Sequence, residues 1–141
     1  MNILVLEDRS SVSYYMKEAL NMEGHKVLDA HNIYEAQKHW GKENAQIDCI
    51  IADLNMNPEG LKLEEMEETV GGMLTGWVWL QKYVFRTKPH MKHRTIIYSD
   101  FKDELEENIK ELELQGVRRI SKSDPSGSAI QLLNYLKEIA S

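Results

Sequence analysis

Apolar and polar positions along the chain fall into blocks whose period changes. Ile3 to Leu6 is an unbroken apolar run, as expected of a strand covered on both faces. Ser10 or Ser11 can cap a following helix in which Val12, Met16 and Leu20 recur at i, i+4 and i+8, with Tyr15 and Ala19 beside them and Gly24 as a stop. Lys26 to Asp29 reads as a second strand. Asn32 can cap a helix carrying Ile33, Ala36, Gln37 and Trp40 along one side, and Ile47 to Ala52 is a third strand. After a long segment, Leu54 to Gly76, the pattern predicts a helix over Trp77 to Phe85 and a strand over Thr95 to Tyr98. A helix over Lys102 to Gln115 follows, with Leu105, Ile109 and Leu112 inward and Gly116 as the stop. Val117 to Ile120 is the fifth strand. Asp124 and Pro125 suit an N-cap and first helical position, and Ile130, Leu133, Leu136 and Ile139 mark the last helix.

Five strands alternating with five helices imply an α/β fold with a doubly wound parallel sheet and helices on both faces, because parallel neighbours need crossovers. A ligand on such a sheet belongs beyond the carboxyl ends of the strands, near the topological switch point. Composition changes this picture little. The chain has 141 residues, 42% of them hydrophobic and 28% charged, which suits one folded domain and argues against disorder. A net charge of −6 disfavours a nucleic-acid surface, and no polybasic stretch suggests anionic membranes. The single cysteine, Cys49, cannot form an intramolecular disulfide. The amino terminus lacks the layout of a secretory signal, and no window approaches the ~18 apolar residues of a membrane span. The expected location is the cytoplasm.

The residues at the predicted strand ends are chemically unlike the rest. Strand one ends at Glu7 and Asp8, strand three at Asp53, strand four at Ser99 and Asp100, and strand five just before Lys122. Clustered carboxylates repel one another unless a cation joins them. Mg²⁺ fits, since it takes oxygen ligands, uses few carboxylates and keeps waters that leave room for a phosphoryl group. With a lysine and a hydroxyl opposite, the set is equipped for phosphoryl transfer to a carboxylate nucleophile.

Over nearly its whole length the chain resembles the CheY-like receiver domains of bacterial two-component response regulators. The residues that carry the resemblance are "VLEDRS" with Glu7 and Asp8, "IIADLNM" with Asp53, "IIYSD" with Ser99 and "RISKS" with Lys122. The resemblance implies a flavodoxin-like strand order, 2-1-3-4-5, in a single receiver domain over residues 1–141. It implies that Asp53 accepts phosphate from a histidine kinase or phosphotransfer protein. Glu7, Asp8 and Asp53, with the backbone carbonyl of Asn55, would hold Mg²⁺, Glu7 through water. Ser99 would turn toward the phosphoryl group and Lys122 would pair with it. The expected product is a signalling switch rather than an enzyme: a stand-alone receiver, monomeric or weakly dimeric, acting through an unknown downstream protein, with no nucleic-acid or membrane partner.

Three features depart from the family pattern. An acidic insertion at about 57–75 separates the third strand from the third helix, and Gly76, the glycine that would match, lies well downstream. Leu63, Met66 and Val70 predict a short amphipathic helix in it, ended or hinged at Gly71 and Gly72, and the segment gates the site or forms a partner surface. Arg119 stands three positions before Lys122, where the family often carries an aromatic switch. Ser123, not proline, follows Lys122.

Remaining features read as structural: His90 and His93 as a solvated loop, one of Trp77 and Trp79 as core and the other as partly exposed, Cys49 as a buried small side chain, and "KDELEENIKELE" as a solvated helix face. The alternatives are a receiver-fold docking module that is not phosphorylated in the cell and a Mg²⁺-dependent phosphohydrolase. A hydrolase of this chemistry places its nucleophile after strand one in an Asp-x-Asp arrangement, and Glu7-Asp8-Arg9 is not one. A flavodoxin-like nucleotide binder needs an anion cradle after strand one, which the acidic pair would oppose.

Overall fold

The computed structural model describes residues 1–100, 105–122 and 125–141. Its strands β1 (Asn2–Leu6), β2 (Lys26–Ala30), β3 (Cys49–Ala52), β4 (Thr95–Ser99) and β5 (Arg118–Ser121) form one parallel sheet in the order β2-β1-β3-β4-β5. Leu6 pairs with Ala30 and with Ala52, and Ser99 with Ser121, so the strands finish nearly level. The helices are α1 (Ser10–Met22), α2 (Ile33–Glu43), α3 (Leu63–Met66), α4 (Thr75–Trp79), α5 (Glu106–Leu114) and α6 (Pro125–Ala140). A 3₁₀ turn over Glu67–Thr69, a π-helix over Leu80–Phe85 and a 3₁₀ helix over Pro89–Arg94 complete the helical segments. The doubly wound sheet expected from the sequence is present.

Successive strand residues feed two cores, one on each face of the sheet. Leu4, Leu6, Ile50, Ala52 and Ile97 pack with Ile33 and Trp40 of α2, Val78 and Trp79 of α4, and Ile109 and Leu112 of α5. Ile3, Val5, Cys49, Ile51 and Ile96 pack with Met16 and Leu20 of α1 and Leu132, Leu136 and Ile139 of α6. Both faces being covered explains why β1 and β3 read as unbroken apolar runs rather than alternating ones. Asn32 caps α2 as expected, its side chain accepting from the Glu35 N–H at 2.9 Å. Leu105, Ile109 and Leu112 are buried, and Trp79 is core while Trp77 is partly exposed.

Several local expectations are corrected. The α1 cap position is Arg9, with no side-chain hydrogen bond, and Ser10 is already helical. The buried face of α1 is Ser13, Met16 and Leu20; Tyr15 is 73% exposed and Ala19 is also outside. A step of about 100° per residue carries Tyr15 off that stripe, and Ser13 takes the inner position because its hydroxyl reaches Asp29 at 3.0 Å. On α6, Leu132 replaces Ile130 in the core, and Ile130 is exposed. The predicted helix start at Lys102 and the predicted cap Asp124 lie outside the described residues.

Between β3 and α4 the chain makes a closed excursion. The Met56 N–H donates to the Gly72 carbonyl at 3.1 Å, and the Gly76 N–H to the Leu54 carbonyl at 3.0 Å, so the excursion leaves and rejoins at one point. Its helical run is shorter than predicted, and of the three residues expected inward only Met66 packs against the core. Leu61, Glu65 and Thr69 are buried, while Leu63 is 79% exposed and Val70 is also outside. Hydrogen bonds decide this orientation: the Tyr83 hydroxyl donates to Glu65 Oε1 at 2.6 Å and the Lys62 N–H donates to the same oxygen at 2.9 Å. A carboxylate so bonded tolerates burial that a bare one would not.

Candidate functional site

β1 and β3 are central strands, so the residues that follow them are held by a rigid neighbourhood. The Asp53 N–H donates to the Leu6 carbonyl and the Glu7 N–H to the Ala30 carbonyl, both at 2.9 Å, extending the sheet ladder past the strand ends. Glu7 is 2% exposed, Asp53 7% and Ser99 1%. Asp8, one step further, is exposed. Gly76 is required by this packing, since a Cβ there would lie 2.1 Å from the Asp53 carbonyl oxygen.

The side chains converge as the sequence suggested. Ser99 Oγ donates to Asp53 Oδ1 at 2.6 Å, and the Asn55 N–H reaches the same oxygen at 3.2 Å. Lys122 Nζ donates to Asp53 Oδ2 at 2.8 Å and to Glu7 Oε2 at 2.5 Å. The Arg9 N–H holds the other Glu7 oxygen at 3.1 Å. One carboxylate oxygen from each of Glu7, Asp8 and Asp53 lies within 4.8 Å of the others. All three sequence-predicted carboxylates are therefore together, with Ser99, Asn55 and Lys122 around them.

Electrostatics follow from this recessed position. Burial pushes the Glu7 carboxyl above its ordinary value; the Lys122 hydrogen bond offsets part of that rise and the Asp53 charge adds to it. Burial alone would lower the Lys122 ammonium, but the hydrogen bonds it donates to Asp53 and Glu7, with their charges, outweigh it and hold the amine above its ordinary value. Lys122 is therefore a fixed cation, and its Nζ also sits 5.6 Å over the Tyr98 ring.

The donor set suits a hard divalent cation: three carboxylates with ligand atoms close enough to share one ion, and the Asn55 backbone at the same pocket. The residues present fit Mg²⁺. The pocket measures about 440 Å³. Asp8, Asp53, Asn55, Ser99, Asp100 and Lys122 are among the residues that line it. Asn57, Pro58 and Gly71 of the insertion expected to border the site also line it, as do Arg9 and Met56, which the sequence did not single out.

At the position of the expected aromatic switch, Arg119 pairs with Glu106 at 2.8 Å and with Glu113 at 3.0 Å, tying β5 to α5. His93 packs against Gly116, where a Cβ would lie 2.4 Å from its Nδ1. Among the described residues, Glu7, Asp8 and Asp53 form the one group arranged to share a metal ion. No described helix is long and apolar enough to cross a membrane.

The fold is that of CheY-like response regulator receiver domains. A response regulator receiver domain from Clostridium thermocellum is similar at 21% identity, covering 97% of this chain and 94% of that one, with a TM-score of 0.66. A CheY-like receiver domain protein from Methanospirillum hungatei JF-1 is similar at 19% identity, covering 99% of this chain and 95% of that one, with a TM-score of 0.66. The non-phosphorylated HemR receiver domain from Leptospira biflexa is similar at 18% identity, covering 99% and 94%, with a TM-score of 0.67. No family model and no curated protein matches the sequence.

Proposed function

We propose that this chain is a response regulator receiver, one domain over residues 1–141 with an insertion at about 57–75, switched by phosphorylation of Asp53. The observation that carries this reading is a single buried carboxylate whose two oxygens are held by different groups, Ser99 at 2.6 Å on one and Lys122 at 2.8 Å on the other. The donor is a histidine kinase or phosphotransfer protein. An Asp53 oxygen attacks phosphorus, the phosphorus–nitrogen bond of the phosphohistidine breaks, and its electron pair leaves with the imidazole, which takes a proton from solvent. Lys122 exchanges its bond to Asp53 for one to a phosphoryl oxygen, and the Ser99 hydroxyl turns to donate to another. A bound Mg²⁺, held by Glu7 through water, Asp8, Asp53 and the Asn55 carbonyl, would offset charge on the phosphoryl oxygens. Positioning and charge supply the catalysis; no substrate is turned over, and the chain is not an enzyme.

The modified site then shifts an equilibrium between two conformations and alters binding to a downstream protein. Intact-mass measurement after incubation with Mg²⁺ and acetyl phosphate tests the reading. The wild type is expected to gain one phosphoryl group and Asp53→Ala none; a gain retained by Asp53→Ala contradicts it. A second reading, a docking module not phosphorylated in the cell, is favoured by one observation: Lys122 already bridges Glu7 and Asp53. Absence of any mass gain from both acetyl phosphate and a phosphohistidine donor would favour it.

A further inference from the structure

The excursion over 57–71 is built as a fixed wall. Its base is closed by the Met56–Gly72 backbone bond and by two threonines that are fully buried, Thr69 and Thr75. Thr75 Oγ1 donates to the Met56 carbonyl at 2.7 Å and lies 3.0 Å from the Gly72 carbonyl, clasping both ends of the loop. Thr69 Oγ1 donates to the Met66 carbonyl at 2.7 Å and accepts from the Gly72 N–H at 3.1 Å. The far end is tied to the π-helix by Tyr83 and Glu65. Asn57, Pro58 and Gly71 of this loop line the same pocket as Asp8, Arg9 and Asp53.

We propose that the loop over 57–71 restricts access to the Asp53 carboxylate, admitting a phosphoryl group carried on a slender stem and excluding broad reagents, with Thr75 as the positioning residue that holds the wall. The proposal deepens the reading of Asp53 as phosphoacceptor. The donors it selects are small acyl phosphates and phosphohistidines whose imidazole projects clear of the donor surface. Asp53 is 7% exposed and lines this pocket, so the loop stands where a reagent entering the pocket must pass.

The test reads access without any phosphoryl step, so its failure is separate from failure of the phosphoacceptor reading. In an Asp53→Cys chain the thiol at position 53 is the reactive one, because Cys49 is fully buried and burial pushes its thiol up to about 12. Rates with N-methylmaleimide and with fluorescein maleimide, each normalised to glutathione, are compared in that chain, with added Thr75→Val, with added Thr75→Ser, and with residues 57–71 replaced by two glycines. Circular dichroism confirms that each is folded. With the native loop the small reagent is expected to be favoured by roughly tenfold or more. That preference collapses in the glycine-linked chain, drops in Thr75→Val and is kept in Thr75→Ser. Should Thr75→Val not fold, the glycine-linked chain decides. An equal preference with and without the loop overturns the proposal.

Discussion

The carboxyl edge of the sheet and the loop over 57–71 line the same pocket but are specified differently. At the edge, Glu7, Asp53, Ser99 and Lys122 come together from four separated stretches because parallel strands in fixed register deliver their ends to one place. In the loop, residues close in sequence are placed by partners elsewhere: Glu65 by Tyr83, Met56 by Thr75, Gly72 by Thr69. Strand direction thus suffices to place one half of the pocket, while the other depends on individual polar contacts. Variants at the edge should act through charge, and variants in the loop through hydrogen bonds and backbone geometry.

The largest effect is expected at Lys122. Removing its ammonium in Lys122→Ala leaves the Glu7 and Asp53 carboxylates buried together without a cation, a loss of about 3 kcal/mol in urea unfolding. Adding Glu7→Gln should restore a good part of it, and no recovery would detach the edge from a charge account. Gly76→Ala comes next, at roughly 2 kcal/mol, because the new Cβ must displace the Asp53 carbonyl oxygen it would otherwise meet at 2.1 Å. Since Gly76 joins the loop to the edge, this change should also slow phosphorylation, which a time course with acetyl phosphate would reveal.

Tyr83→Phe isolates the loop. It removes the hydroxyl that donates to Glu65 at 2.6 Å and should cost about 1–2 kcal/mol while leaving phosphorylation at Asp53 intact. The same bond gives a pH signature. Burial, with the Glu65 hydrogen bond and charge, pushes the Tyr83 hydroxyl from 10.0 to about 12. Its folded value lies above the unfolded one, so this contribution is complete below pH 10 and is lost as pH rises from 10 toward 12. Unfolding free energies measured across that window should converge for wild type and Tyr83→Phe, and parallel curves would refute the coupling. The smallest effect is a gain. Val70 holds φ at +53°, a left-handed conformation that a β-branched residue resists, and its side chain is half exposed. Val70→Asn should stabilise by up to ~1 kcal/mol, read as a rise in unfolding midpoint.

The same contrast sets what the sequence disclosed. Ile3 to Leu6 and Ile47 to Ala52 signalled doubly covered strands because they are apolar throughout or, apart from Asp48, nearly so, and the carboxylates that follow them stood out for that reason. Glu7, Asp8 and Asp53 were legible from that, and Ser99 and Lys122 from their places at the ends of the fourth and fifth predicted strands. The orientation of the helical run after Leu61 was not. Periodicity favoured Leu63, Met66 and Val70 inward, but over so few residues the apolar pattern is outweighed by the bonds from Tyr83 and Lys62 that bury Glu65. On α1 and α6 the cause was different: at about 100° per residue Tyr15 and Ile130 fall off the stripe that packs, but an apolar residue on the outer face looks the same in the sequence as one in the core. Arg119 was visible as a departure, while its pairing with Glu106 and Glu113 required the position of α5 against β5.

The central claim is that one carboxylate among three close neighbours takes the phosphoryl group. Borohydride reduction converts an aspartyl phosphate to homoserine, so peptide mapping after treatment with Mg²⁺, acetyl phosphate and borohydride reads the acceptor directly. Homoserine at position 53, with Asp8 and Glu7 unchanged, is the predicted result. Reduction at Asp8 or Glu7 instead, or at no residue of a chain that has gained phosphoryl mass, would contradict the account.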